Sequence, residues 1–137
     1  MKEDNFLSPY KLFGVECGDG WKDILAPIFE YIENYNKNKS EDDKIIIEQV
    51  KEKFGTLRFY CSFYTDELEN LINDAEKKSD ITCELCGSTD NVGKTGGWIT
   101  TMCYNCAKKN AKNSKNGIIW FSNGVKHIFD KDGNEKQ

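Results

Sequence analysis

Thr82-Cys83-Glu84-Leu85-Cys86-Gly87 and Cys103-Tyr104-Asn105-Cys106, with sixteen residues between Cys86 and Cys103, decide how the second half of this chain folds. Two residues between cysteines let a tight turn aim both sulfurs at one point, and a second such pair completes a tetrahedron of thiolates. The spacing predicts one structural zinc ion held by Cys83, Cys86, Cys103 and Cys106. Disulfide pairing is the rival reading. It is disfavoured because the chain opens Met1-Lys2-Glu3-Asp4 with no apolar signal segment, which points to a reducing cytoplasm. An iron–sulfur cluster or a redox pair is the third reading.

The residues around the ligands narrow the type of site. Gly87 can take the positive φ that turns backbone amides toward the sulfurs of a knuckle. The second pair runs into Ala107-Lys108-Lys109-Asn110-Ala111-Lys112, read as a short helix ending before Gly117. Between the pairs, Asn91–Lys94 and Trp98–Met102 read as two strands joined by Thr95-Gly96-Gly97. Knuckle, hairpin, then a helix bearing ligands at its start is similar to a treble-clef zinc finger. A zinc ribbon, with a strand in place of the helix, is the alternative.

Outside this segment, Trp21, Ile24, Leu25, Ile28, Ile32 and Tyr35 recur at helical spacing and predict an amphipathic helix. Asp19 or Gly20 is its candidate cap, and Pro27 is expected to kink it or mark its first turn. Leu57, Phe59, Cys61 and Phe63 alternate with Arg58, Tyr60, Ser62 and Tyr64, a strand with one apolar face. Ile45–Val50 is its expected partner through Phe54-Gly55-Thr56, with a helix as the alternative because Ile47, Val50 and Phe54 also fit helical spacing. Asp66 and Glu69 suggest a capping box ahead of a Leu68, Leu71, Ile72, Ala75 stripe. Near the end, Asn123-Gly124 between two apolar runs is a strong hairpin signal.

The fold class is therefore α+β. Residues 1–80 form a helix–hairpin–helix body, and 81–130 a metal module with a terminal hairpin, expected to pack on the body without a flexible spacer. Residues 131–137 read as a flexible tail, and the first few residues as mobile. With 137 residues, 12% aromatic and 31% charged, the chain can build a modest core and suits a compact soluble fold. No run of about eighteen apolar residues exists for a spanning helix. The net charge of −4 is uneven: residues 81–127 carry six Lys against Glu84 and Asp90, or +4, which leaves −8 elsewhere.

Gly18-Asp19-Gly20-Trp21, Gln49-Val50-Lys51-Glu52-Lys53-Phe54-Gly55-Thr56-Leu57-Arg58-Phe59-Tyr60, Cys83-Glu84-x-Cys86-Gly87 and Gly97-Trp98 ahead of Cys103-x-x-Cys106 occur here in one chain. In that combination, from about Val15 to Cys106, the sequence resembles small proteins of bacteriophages and prophages. The resemblance carries over the zinc ligands and no catalytic residues. It implies a setting, the cytoplasm of an infected bacterium, and a partner, a host or antiviral-defence macromolecule that such proteins bind and inhibit.

Catalysis is not the expected activity. Four cysteines close the coordination sphere of zinc and leave no position for water. The Trp98–Met102 segment lacks the histidine that a treble-clef nuclease carries there. Asp19/Asp23 and Glu41-Asp42-Asp43 are candidates for holding the magnesium of a metal-dependent hydrolase, and such groups are more often caps or solvated loops. Cys17 and Cys61 have no histidine near in sequence to activate them. Nucleic-acid binding is the alternative from another class: Lys108, Lys112 and Lys115 fall at i, i+4, i+7 with Lys109 beside them, and Trp98, Tyr104 and Trp120 are near in sequence to stack bases. Arg58, the single arginine, either pairs with an acidic neighbour such as Glu48 or contacts a ligand.

Overall fold

A computed structural model describes residues 15–136; the N-terminal residues expected to be mobile lie outside them. Among the described residues, three α-helices and two sheets form a mixed architecture. Strand β1 (Val15–Glu16) leads through a 3-10 turn, Asp19–Trp21, into helix α1 (Lys22–Asn36). Strands β2 (Ile47–Lys53) and β3 (Thr56–Cys61) pair antiparallel, and β1 adds a short parallel edge to β2. Helix α2 (Asp66–Ser79) packs on α1 and β3. The second sheet contains β4 (Val92–Thr95), β5 (Thr101–Cys103), β6 (Ile118–Ser122), β7 (Val125–Phe129) and β8 (Glu135–Lys136), in the order β5-β4-β6-β7-β8. Helix α3 (Tyr104–Ala111) covers its inner face.

The apolar alternation does what its period requires. Val50, Leu57, Phe59 and Cys61 face the same core as Trp21, Leu25, Ile28 and Ile32, with Phe29 and Phe59 rings 5.7 Å apart. A second core gathers Met102, Ala107, Ala111, Trp120 and Phe129 beside Cys83 and Cys103. The β2–β3 and β6–β7 hairpins each close with two residues at positive φ, Phe54-Gly55 (55° and 85°) and Asn123-Gly124 (52° and 77°).

Several expectations shift at their edges. Helix α2 is capped by Thr65, whose hydroxyl accepts from Leu68 N at 3.1 Å, and not by an Asp66 box. The same hydroxyl lies 2.6 Å from Tyr31 Oη, which ties α2 to α1. Thr65→Ala is therefore expected to lower stability by about 1–2 kcal/mol in urea unfolding. Neither Asp19 nor Gly20 caps α1 with a side chain; the 3-10 turn delivers the chain into it. Pro27 sits inside α1 on the exposed side. Strand β3 stops at Cys61, short of the predicted Tyr64, because Tyr64 folds back so that its hydroxyl accepts from Cys61 N at 3.0 Å. The flexible tail is also corrected. Asp130 Oδ1 accepts from Asp132 N and Asn134 N, and this turn returns β8 along β7.

The module docks on the body through the glycine motifs. Gly20 N donates to Glu84 O at 2.7 Å, Gly18 N to the Glu84 carboxylate at 2.9 Å, and Trp21 Nε1 to Thr82 O at 2.9 Å. On the other side, Lys94 of β4 binds Asp80 at 2.7 Å, and buried Thr101 donates from its hydroxyl to Gly55 O.

Candidate metal centre

The four cysteines reach one point from two local structures. Cys83 and Cys86 sit on a tight turn in which Gly87 N donates to Cys83 O at 2.9 Å, with Gly87 at φ 84°. Cys103 ends β5 and caps α3, its sulfur accepting from Cys106 N, so Cys106 lies in the first helical turn. A helix, and not a strand, thus follows the second pair. Strand β5 starts at Thr101, later than predicted, because Thr95 Oγ1 closes the preceding loop on Trp98 O and Thr100 N.

All four Sγ atoms lie within 4.8 Å of one another, and Cys86 Sγ is 3.7 Å from Cys103 Sγ. A tetrahedron with metal–sulfur bonds of about 2.3 Å has edges of about 3.8 Å, so the cage fits a single metal ion. Its electrostatics agree. Burial disfavours the Cys83 thiolate, yet the backbone N–H groups of Cys103, Cys86 and Leu85 outweigh it and hold this thiol below its ordinary value. Burial pushes Cys103 and Cys106 up, and the neighbouring sulfurs push Cys106 further. Four thiols in one space ionise together only when a cation neutralises their mutual repulsion. Beside them Glu84 is buried, and desolvation raises its carboxyl above the usual range despite the Gly18 amide.

Among the described residues, these cysteines are the only such convergence of three or more Cys, His, Asp or Glu ligands. Glu41 instead pairs with Lys44 at 2.8 Å, and Asp43 accepts from Ser40. Cys17 and Cys61 are pushed up to about 12, chiefly by burial. Neither forms a thiolate near neutral pH. We expect iodoacetamide at mildly alkaline pH to spare the metal-loaded protein and to modify it only after chelation; fast alkylation of Cys17 or Cys61 in the native chain would contradict this assignment.

The other singled-out residues scatter. Arg58 pairs with Glu76 of α2 at 2.6 Å, not with Glu48. Helix α3 ends at Ala111, so Lys108 is helical, Lys112 is at the cap and Lys115 lies beyond; the three do not make one helical row. Lys112 packs its stem against the Gly133 turn. His127 Nδ1 lies 2.6 Å from Glu135, which also accepts from Tyr104. Trp98 stands 84% exposed at the tip between β4 and β5. Close to it is a residue that the sequence placed only in a strand connection: Phe54, 68% exposed, shares a cleft with Trp98 and Ile99. The signal was an aromatic at a hairpin position that favours Asn or Gly. No helix of the described residues is long and apolar enough to cross a membrane. Comparison of the chain with family models, curated proteins and solved structures returns no match.

Proposed function

We propose that the chain is a zinc-stapled binding protein of bacteriophage type, acting by contact with a host or antiviral-defence macromolecule in the bacterial cytoplasm and not by catalysis. Zinc is the ion that four thiolates in a closed tetrahedron suit best, and the order of knuckle, hairpin and ligand-bearing helix supports a treble clef. A closed sphere gives the metal a structural role. The observation that carries the binding reading is Trp98, held out in solvent beside Phe54 on backbone that its own hydrogen bonds fix. Large apolar groups clustered at a surface mark interaction sites.

Tagged protein mixed with bacterial lysate tests this, with and without nuclease. A stoichiometric protein partner that survives nuclease and salt supports the reading. Material lost with nuclease supports the nucleic-acid alternative, for which the broken lysine row leaves Lys108 and Lys112 as the phosphate contacts. Metal-dependent turnover of nucleic acid, nucleotide or peptide, lost on Asp19→Ala, would overturn it in favour of a hydrolase.

A further inference from the structure

Trp98 is the crest between two depressions. On one side lies a cleft of about 230 Å³ walled by Phe54, Trp98 and Ile99. On the other lies a groove of about 650 Å³ with Ile118, Ile119 and Ile128 in its lining and Asn110, Asn113 and Asn116 along it. Both are preformed. The Trp98 loop is pinned by Thr95 Oγ1 to Trp98 O at 2.7 Å and by Gly96 N to Ile119 O at 2.8 Å. Phe54 is held at φ 55°, a conformation costly for a bulky side chain, with no burial in return. Strain kept where no core benefits points to a surface role.

The chemistry of the lining selects the occupant. The large groove contains no ionisable side chain, and the small cleft adds only Glu52, whose carboxylate already accepts from Gly55 N at 2.8 Å, and Lys53. A phosphate backbone finds no row of cations here and meets a chain of net charge −4. What the surface offers is flat aromatic faces, an apolar floor, and donors: Trp98 Nε1 and the side-chain amides of Asn113 and Asn116 have no hydrogen-bond partner among the described residues. A proline-rich strand in the polyproline II conformation complements this set. Its rings pack on exposed aromatics, its carbonyls lack internal partners, and its order reduces the entropy lost on binding.

We propose that the two depressions flanking Trp98 are one docking site for an uncharged, proline-rich segment of a partner polypeptide. This rests on the binding-protein reading and names its ligand class. Fluorescence tests it directly, because Trp21 and Trp120 are fully buried and acrylamide quenching therefore reports Trp98. We expect oligoproline to shield Trp98 saturably by millimolar concentration, with no weakening as salt is raised.

Two variants separate recognition from folding. Phe54→Asn puts a residue tolerant of positive φ into the turn, so its unfolding midpoint should hold or rise while oligoproline affinity falls roughly tenfold. Asn113→Ala should weaken binding at unchanged stability. No shielding by oligoproline, salt-sensitive shielding by oligothymidylate in its place, or shielding that grows with protein concentration alone would each overturn the proposal. A host protein captured equally well by Trp98→Ala protein would also sink the docking site while leaving the binding-protein reading intact.

Discussion

A Cys83→Ser chain is expected to lose its metal and, with it, the folded state of residues 82–129. Cys83 is fully buried where the module meets the body, between Thr82, which accepts from Trp21, and Glu84, which receives Gly18 and Gly20. The metal supplies on the order of 10 kcal/mol of binding free energy, comparable with the whole stability of a small domain. The second core, built from Trp120, Phe129, Met102 and two alanines, is small and has the cysteines as its neighbours. We therefore expect Trp120 in the variant to become quenchable by acrylamide, and the amides of β4 to β7 to exchange freely. A variant that folds like the wild type in the presence of chelator would show that the second core stands without a staple.

Gly20→Ala is the second large effect, and it acts without touching the ligands. A Cβ at this position would collide with the Cys83 carbonyl oxygen and the Glu84 backbone, so the 3-10 turn and the knuckle could not keep their present distance. Relief requires breaking the Gly20 to Glu84 hydrogen bond and displacing the buried Trp21 indole from Thr82. We expect a loss of roughly 3 kcal/mol or more in denaturant unfolding, together with a weaker grip on the metal. The contrasting variant is Gly97→Ala. Its added Cβ meets nothing within 4 Å, so only the strain of φ 71° opposes it, and the loss should be about 1 kcal/mol. Equal losses in the two variants would remove the contact-based explanation.

Features set by local chemistry were readable from the sequence. The two Cys-x-x-Cys pairs, the positive-φ Gly87, the stripe from Trp21 to Tyr35 and the Asn123-Gly124 turn each state their structure within a few residues, and each forms. What escaped depends on partners distant along the chain. Thr65 displaced Asp66 as the α2 cap because its hydroxyl also meets Tyr31, thirty-four positions away. Strand β6 pairs with β4 across the whole of α3, which merges the terminal hairpin with the metal module into one sheet. The tail became β8 because Asp130 organises a turn that brings Glu135 onto His127.

The same limit applies to the candidate site. Gly18-Asp19-Gly20-Trp21 offered a candidate helix cap, but its two glycine amides are aimed at Glu84, a residue between two of the clustered cysteines. Nothing in either segment announces the other. Phe54 and Trp98 likewise become neighbours through long-range docking, with Thr101 fastening Gly55 to the module close by. The lysine row failed for a local reason that composition hid: α3 stops at Ala111, and the chain turns through Asn113 and Ser114 toward Gly117, at φ 79°.

Native mass spectrometry of the intact chain, before and after chelation, tests the staple most directly. We expect one zinc ion per chain with four thiol protons displaced, and a shift to the broad, high charge states of an opened protein once the ion is removed. A metal-free chain that keeps its compact charge states, or a mass showing disulfides in place of the ion, would contradict a metal-held fold.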